Sequence, residues 1–367
     1  MNNNLEVIAL TKKDLREAIA LNTYWDNSIE APFSKNKALW MLNNKRSDDD
    51  DTLAILAYEN SALVSFVCVV PDLIRKKEGG NVKKVFWSHR WWVSDNYKDT
   101  ILSTYTKGMS LNALDNQIVI KFLGDATKAY YEKQNFTRFS ERDRHIIVFS
   151  LNYDLLIYKK SSLKKIKGLL KFLDKASGKL ISLINGKKSS NRTKLLSYKY
   201  VSHLDETNWN FIKEYCADDI VPKTLEYINW QLNNDQYQVS TNITDELKDN
   251  CRLGSISNSI SNLNFIVNKD DKPIGFISGL VLGKRFIVRY FLSNKNNFDS
   301  CLDALIKNMI KSKCTLLQTE NDVLGDRIKS RYLNLYVDTR KLFSLIHDDV
   351  GIDATNITVK DQDGNFL

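Results

Sequence analysis

Hydrophobic periodicity switches between period 2 and period 3.6 in the same order twice along this 367-residue chain. In the first half, residues 5–10 read as a short strand. Residues 11–22 and 34–43 read as helices, with Thr11 near the start of the first and Ser34 as the cap of the second. Residues 52–58 and 62–70 form a hairpin signature around Glu59-Asn60, and residues 85–93 (VFWSHRWWV) read as a two-sided central strand. A helix over 101–114, a strand over 117–122, a helix over 126–134 and a strand over 145–151 close the half. Helices over 207–215 and 223–232 open the second half, and strands over 263–267, 272–281 and 285–292 follow. A helix over 298–311, a strand over 314–318, a helix over 322–332 and a last strand over 333–337 complete it. The two halves share this order but little sequence. The pattern predicts an α/β (α+β) protein of two tandem domains, each a mixed central sheet flanked by helices. The expected boundaries are 1–152 for the first domain, 153–197 for a basic amphipathic helical linker, and 198–367 for the second domain.

Charge singles out that linker. The chain carries a net +9, yet residues 158–197 alone hold twelve Lys and Arg against Asp174, a net +11 that leaves −2 for all the rest. A general nucleic-acid binder spreads its charge more widely, which argues against nucleic acid as partner. Within the segment, Leu163, Ile166, Leu170, Leu173, Ser177, Leu180 and Ile184 recur at helical spacing, and lysines occupy much of the remainder. Two readings follow. The helix lies on an anionic membrane surface through residues 159–188, or it packs on a domain with its lysines in water. Aromatic residues are sparse there, so a base-stacking platform is poorly supplied.

Other classes are set aside on composition. No apolar run reaches the 18 residues of a spanning helix, and the N-terminus lacks the basic and apolar regions of a signal peptide. The five cysteines form no CxxC pair, and the four histidines form no HxxxH pair. A reducing cytoplasm fits, with peripheral placement at the inner face of the membrane if the basic helix binds lipid. The acidic run 48–51 reads as a solvated loop.

Three stretches resemble the GCN5-related N-acetyltransferase (GNAT) superfamily. Residues 31–44 with 52–72 look like that family's paired helices and hairpin. Residues 85–109 resemble its central strand, pyrophosphate loop and following helix. GDATKAYYEKQNF over 124–136 resembles its Ala-x-x-Leu-Tyr-Glu-Lys-x-Gly-Phe segment, with Asn135 where Gly is usual. The resemblance covers about residues 5–150; beyond 200 it rests on element order and on residues 224–232. It implies acetyl-CoA or another acyl-CoA as acyl donor, held by Trp92, Val93, Tyr97, Lys98, Thr100 and Ser103 at the helix after the central strand. Lys98 stands where Arg is usual, and the loop's glycines are replaced by Asp99, Ile101 and Ser103.

For the chemistry, the resemblance implies Tyr131 as the acid that protonates the leaving thiolate. His89, in the central strand, is the candidate base. Each has a structural alternative: Tyr131 as core packing beside Tyr130, and His89 as a satisfied sheet histidine. Trp87, Trp91 and Trp92 either line an acceptor groove suited to a sugar ring or belong to the core. The second domain is expected to be non-catalytic. The function expected from the resemblance is an acyl-CoA-dependent N- or O-acyltransferase on a small-molecule, sugar or lipid-linked sugar acceptor in surface polysaccharide biosynthesis. A catalytically inactive module on a membrane or partner protein is one alternative. Aminoacyl transfer from a charged tRNA is the other.

Overall fold

Strand pairing, in a computed structural model, sorts the chain into two units that are each built from separated segments. The structure describes residues 5–25, 31–76, 81–123, 125–153, 156–157, 160–237, 260–352 and 359–366. One unit comprises Met1–Glu141, Cys216–Asn258 and Phe343–Leu367; the other comprises Arg142–Tyr215 and Ser259–Leu342. These are not the contiguous blocks expected from the sequence.

The first unit begins with strand β1 (Leu5–Thr11), helices α1 (Lys12–Leu21) and α2 (Lys35–Leu42), and strands β2 (Thr52–Glu59), β3 (Ala62–Arg75) and β4 (Val82–Val93). Thr11 and Asp14 form a reciprocal cap on α1, and Ser34 Oγ accepts from Lys37 N on α2. Asn60 and Ser61, both at positive φ, make the tight β2–β3 turn. Helix α3 (Ile101–Ala113), strand β5 (Ile118–Ile120) and helix α4 (Asp125–Tyr131) follow. β1 to β4 pair antiparallel in sequence order, and β5 lies parallel to β4.

The final strand of each half is exchanged. β6 (Phe136–Val148) was expected to close the first sheet, but its residues 145–148 pair with a strand of the second unit, β11 (Leu316–Thr319). The end of β12 (Tyr336–His347) instead pairs with β5, through Ile120↔Leu345 and Val119↔Ile346. The second unit also contains α5 (Lys167–Arg192), β7 (Leu196–Tyr200), α6 (Glu206–Ile212), β8 (Ile260–Lys269), β9 (Lys272–Leu282), β10 (Arg285–Ser293), α8 (Phe298–Lys311) and α9 (Asp322–Arg331); α7 (Leu225–Leu232), earlier in the chain, belongs to the first unit. β7, β8, β9 and β10 pair antiparallel in turn, and β10 lies parallel to β11. Each unit therefore holds a six-strand run of the same kind, with its last strand borrowed from the other half of the sequence.

The first unit's sheet buries both faces. On one face α1, α2, α7 and residues 359–366 cover Leu56, Phe66, Val70 and Trp87. On the other, α3 and α4 cover Ile55, Val67, Phe86 and Ile118. Helix α7 was expected to serve the second domain. Its Trp230 instead stacks on Trp40 of α2 with ring centroids 4.2 Å apart, and each indole N–H donates to the other's carbonyl at 2.8 Å.

The basic helix α5 turns a different face inward from the one expected. Its buried positions are Leu170, Asp174, Gly178, Ile181, Asn185 and Ser189. Of the expected stripe, Leu170 is buried, whereas Ile166, Leu173, Leu180 and Ile184 are exposed. A small, polar face packs better here because the neighbour approaches closely: a Cβ on Gly178 would lie 3.1 Å from Ser150 Cβ. Asn185 exchanges two hydrogen bonds with the Leu333 backbone. Tyr158 and Lys159, at the start of the basic segment, lie outside the described residues.

Candidate active site

β4 has two dissimilar edges. Along β3 its pairing runs from Ser65↔Val93 to Arg75↔Val82 and slips once, since Cys68 faces Arg90 and Val69 faces Ser88. His89 is thereby the extra residue of a β-bulge. Along β5 the parallel pairs are Phe86↔Ile118 and Trp87↔Val119, and no further β4–β5 pair exists among the described residues. From Ser88 onward β4 has no β5 partner among the described residues, so the two strands are no longer zipped together there.

α3 and α4 cover that unpaired stretch on one face of the sheet. The inward positions of α3 are Leu102, Thr106, Lys107, Ser110 and Leu111, so helical spacing carries a lysine into the interior. Lys107 is fully buried. Its Nζ donates to Ser88 Oγ at 3.1 Å and lies 5.0 Å from the Tyr131 ring centroid and 5.8 Å from that of Trp91. No carboxylate pairs with it among the described residues, and burial brings its amine down to about 7. Tyr131 is buried at the end of α4 and hydrogen-bonds Ser88. Burial raises its phenol well above the ordinary range, so it stays protonated at neutral pH. Ser88 therefore joins an amine that titrates near neutrality to a phenol that holds its proton.

The start of α3 sits beyond the end of β4. A 3-10 turn over Asp95–Tyr97 leads to Thr100, which caps the helix: its Oγ1 accepts from Leu102 N and donates to Tyr97 O at 2.8 Å. Ser103 Oγ donates to Thr100 O. Lys98 is held by Asp95 at 2.5 Å, and Tyr97 hydrogen-bonds Glu59. Ile101 is 82% exposed and Asp99 is exposed, so neither side chain packs onto the unpaired stretch.

The expected site residues thus divide. Val93, Tyr97, Lys98, Thr100 and Ser103 surround the approach to α3. Trp92 turns to the other face and stacks on Phe66 at 5.7 Å. Tyr131 meets Ser88 and Lys107. His89 packs edge-on to Phe366 at 6.2 Å, on the face that carries Trp40 and Trp230. Trp87 belongs to the core, where its Nε1 donates to buried Asp72 at 3.0 Å; Trp91 packs on Tyr130. Gly124 of the Tyr131 motif lies outside the described residues. Sequence reasoning missed Lys107 and Ser88. The available signal was a lysine at an inward position of a helix whose other inward residues are small or apolar.

Two cavities lie elsewhere in the described residues. One of about 370 Å³ in the first unit is lined by Asn44, Arg46, Pro222, Glu226, Tyr227 and Trp230, among others. Arg46 stacks on the Tyr227 ring at 3.5 Å and is ion-paired with Asp72, which also accepts from Tyr227 Oη at 2.8 Å. The second unit repeats the strand geometry: β10 and β11 pair as far as Ile287↔Gln318, and Arg289 is the bulged residue opposite β9. A cavity of about 850 Å³ there is lined by Lys295, Phe298, Asp299, Val323 and Arg327, among others. Asp299 takes both hydrogen bonds of Arg327, which offsets the positive charge of that lining.

No family model matches the chain, and no curated protein matches it. Solved structures are similar at low identity. Saccharomyces cerevisiae N-myristoyltransferase with bound myristoyl-CoA is similar at 11% identity and a TM-score of 0.49, over 95% of this chain and 83% of that one. A conserved Enterococcus faecalis protein of unknown function, described as a "Probable N-Acyltransferase", is similar at 11% and 0.48, over 94% and 73%. A GCN5-related N-acetyltransferase from Anabaena variabilis is similar at 10% and 0.45, over 93% and 72%. At such values similarity carries nothing about the chemistry of this chain.

Proposed function

We propose that the first unit is an acyl-CoA-dependent N- or O-acyltransferase. The observation that supports this most is the end of β4–β5 pairing after Trp87 beside a buried Ser88–Lys107–Tyr131 cluster. The unpaired stretch of β4 fits an extended thioester, since β4 lacks β5 pairs there among the described residues and the residues at the start of α3 point outward. Backbone N–H groups of the first turn of α3, with Lys98, Thr100 and Ser103, would hold the phosphates. Bound there, the thioester supplies an acyl group to an amine or hydroxyl.

The chain's own groups manage protons. Tyr131 holds one at Oη for the departing sulfur. Lys107, as ammonium, restores it through Ser88 and becomes a neutral amine, an exchange that its pKa of about 7 permits near neutral pH. His89 is the base on the opposite face. A sugar or lipid-linked sugar of surface polysaccharide is the acceptor class we favour.

Calorimetric titration with acetyl-CoA and longer acyl-CoAs tests the reading. Saturable binding of at least one is expected, and heatless titrations with all of them overturn it. The replacement of the loop's glycines by Asp99, Ile101 and Ser103 favours a second reading, a non-catalytic binding module. That reading expects partner binding unchanged by Tyr131→Phe and His89→Ala.

A further inference from the structure

Helix α5 presents three distinct faces. The first is anchored in the second unit by Ile181 in the core, by Asn185 on the Leu333 backbone, and by Asp174, which accepts from Asn152 N at 2.7 Å. The second is apolar and open to solvent: Leu169, Phe172, Leu173, Leu180, Leu183 and Ile184, with Phe172 68% and Leu183 62% exposed. At 100° per residue these six fall within about 120° of the helix circumference. The third is the row Lys171, Lys175 and Lys179, four residues apart, between the anchored and apolar faces. None of these lysines makes an ion pair among the described residues.

A row of leucines in water on a helix about 39 Å long is not an isolated exposed side chain. It calls for a cover, and the lysines define one. A second copy of this chain would bring the same cations against one another. No helix among the described residues is long and apolar enough to cross a bilayer. We infer that α5 is a docking surface for an anionic lipid bilayer, lying in the interface with its leucines in the acyl boundary and its lysines on the headgroups. Its first face is already fixed to the second unit, so the surface is preformed and little ordering is needed on binding.

This inference is independent of acyl transfer and is tested on the full chain by vesicle flotation. Vesicles of phosphatidylcholine alone are compared with vesicles that also contain phosphatidylglycerol. Binding to the anionic vesicles, weakened by salt, is expected. Lys171→Gln, Lys175→Gln and Lys179→Gln together should weaken it about 100-fold, at about fivefold per lysine. Phe172→Ser with Leu183→Ser should weaken it at least tenfold. All five positions are exposed, and near-ultraviolet circular dichroism checks that the variants keep the fold. Absence of binding to anionic vesicles at low salt overturns the inference. So does binding that survives loss of the apolar side chains. A dimer seen in sedimentation and abolished by the same serine substitutions also overturns it, in favour of a second copy as the cover.

Discussion

Replacing Lys107 by Met probes the most unusual group in the first unit. The amine is fully buried, bonded to Ser88 Oγ at 3.1 Å, and lowered by burial from 10.5 to about 7. In the unfolded chain it keeps its ordinary affinity for a proton. Between about pH 7 and 10.5 the unfolded state therefore binds more protons than the folded one, and stability rises with pH at about 1.36 kcal/mol per unit. Below pH 7 the buried ammonium opposes folding by about 5 kcal/mol in total on that scale. Methionine has nearly the same length and no charge. The variant should be more stable at pH 6 by a few kcal/mol, less about 1 kcal/mol for the lost hydrogen bond. Urea denaturation of both proteins from about pH 6 to 9.5 is the assay, because every other titrating group cancels in the difference. The gap should narrow by about 3 kcal/mol across that range. A difference independent of pH would refute the assignment of a neutral-poised amine to this site.

Further outcomes test the surroundings. Tyr131→Phe should slow thiol release by at least about 100-fold while acyl-CoA affinity, read by calorimetry, stays the same. Trp230→Ala removes the ring stacked on Trp40 and the reciprocal N–H bonds, and should lower stability by about 3–5 kcal/mol in chemical denaturation. Gly364→Ala places a methyl 2.5 Å from the Trp87 ring at a φ of +60°, so a loss above about 1 kcal/mol is expected in the same assay. Burial, and Asp363 next, push Asp219 up to about 7. The folded state thus keeps a proton that the unfolded chain releases near its ordinary 3.8, and stability falls as pH rises through that window. Asp219→Asn removes the fall, so its stability relative to wild type should improve from pH 4 to pH 8.

Much of the fold was legible because local rules were obeyed. The helix starts at Thr11 and Ser34, the β2–β3 turn (at Asn60-Ser61, one residue beyond the expected Glu59-Asn60) and the strand around Trp87 are each fixed by neighbours within a few residues. The Tyr131 motif was readable for the same reason, as a helix end with its turn. Lys107 was not, because a lysine among polar helix residues reads as solvent-facing until the strand carrying Ser88 is laid beneath it. Tyr131 came from the resemblance and His89 from its place in the central strand, and the bulge in β4 sets His89 against Phe366, on the other face of the sheet from Tyr131.

The sequence alone determined the local conformations, their order, and the concentration of positive charge in one helix. Only the tertiary structure decided partners. Periodicity marks which residues want burial, but it carries no address. β6 and β12 each present an edge that β5 or β11 can accept, and the exchange between halves followed from packing across the whole unit. For α5 the same reason applies. Its leucines and its small polar residues both formed regular stripes, and close approach of the Ser150 and Thr315 side chains at Gly178 selected the second, leaving the leucines outside.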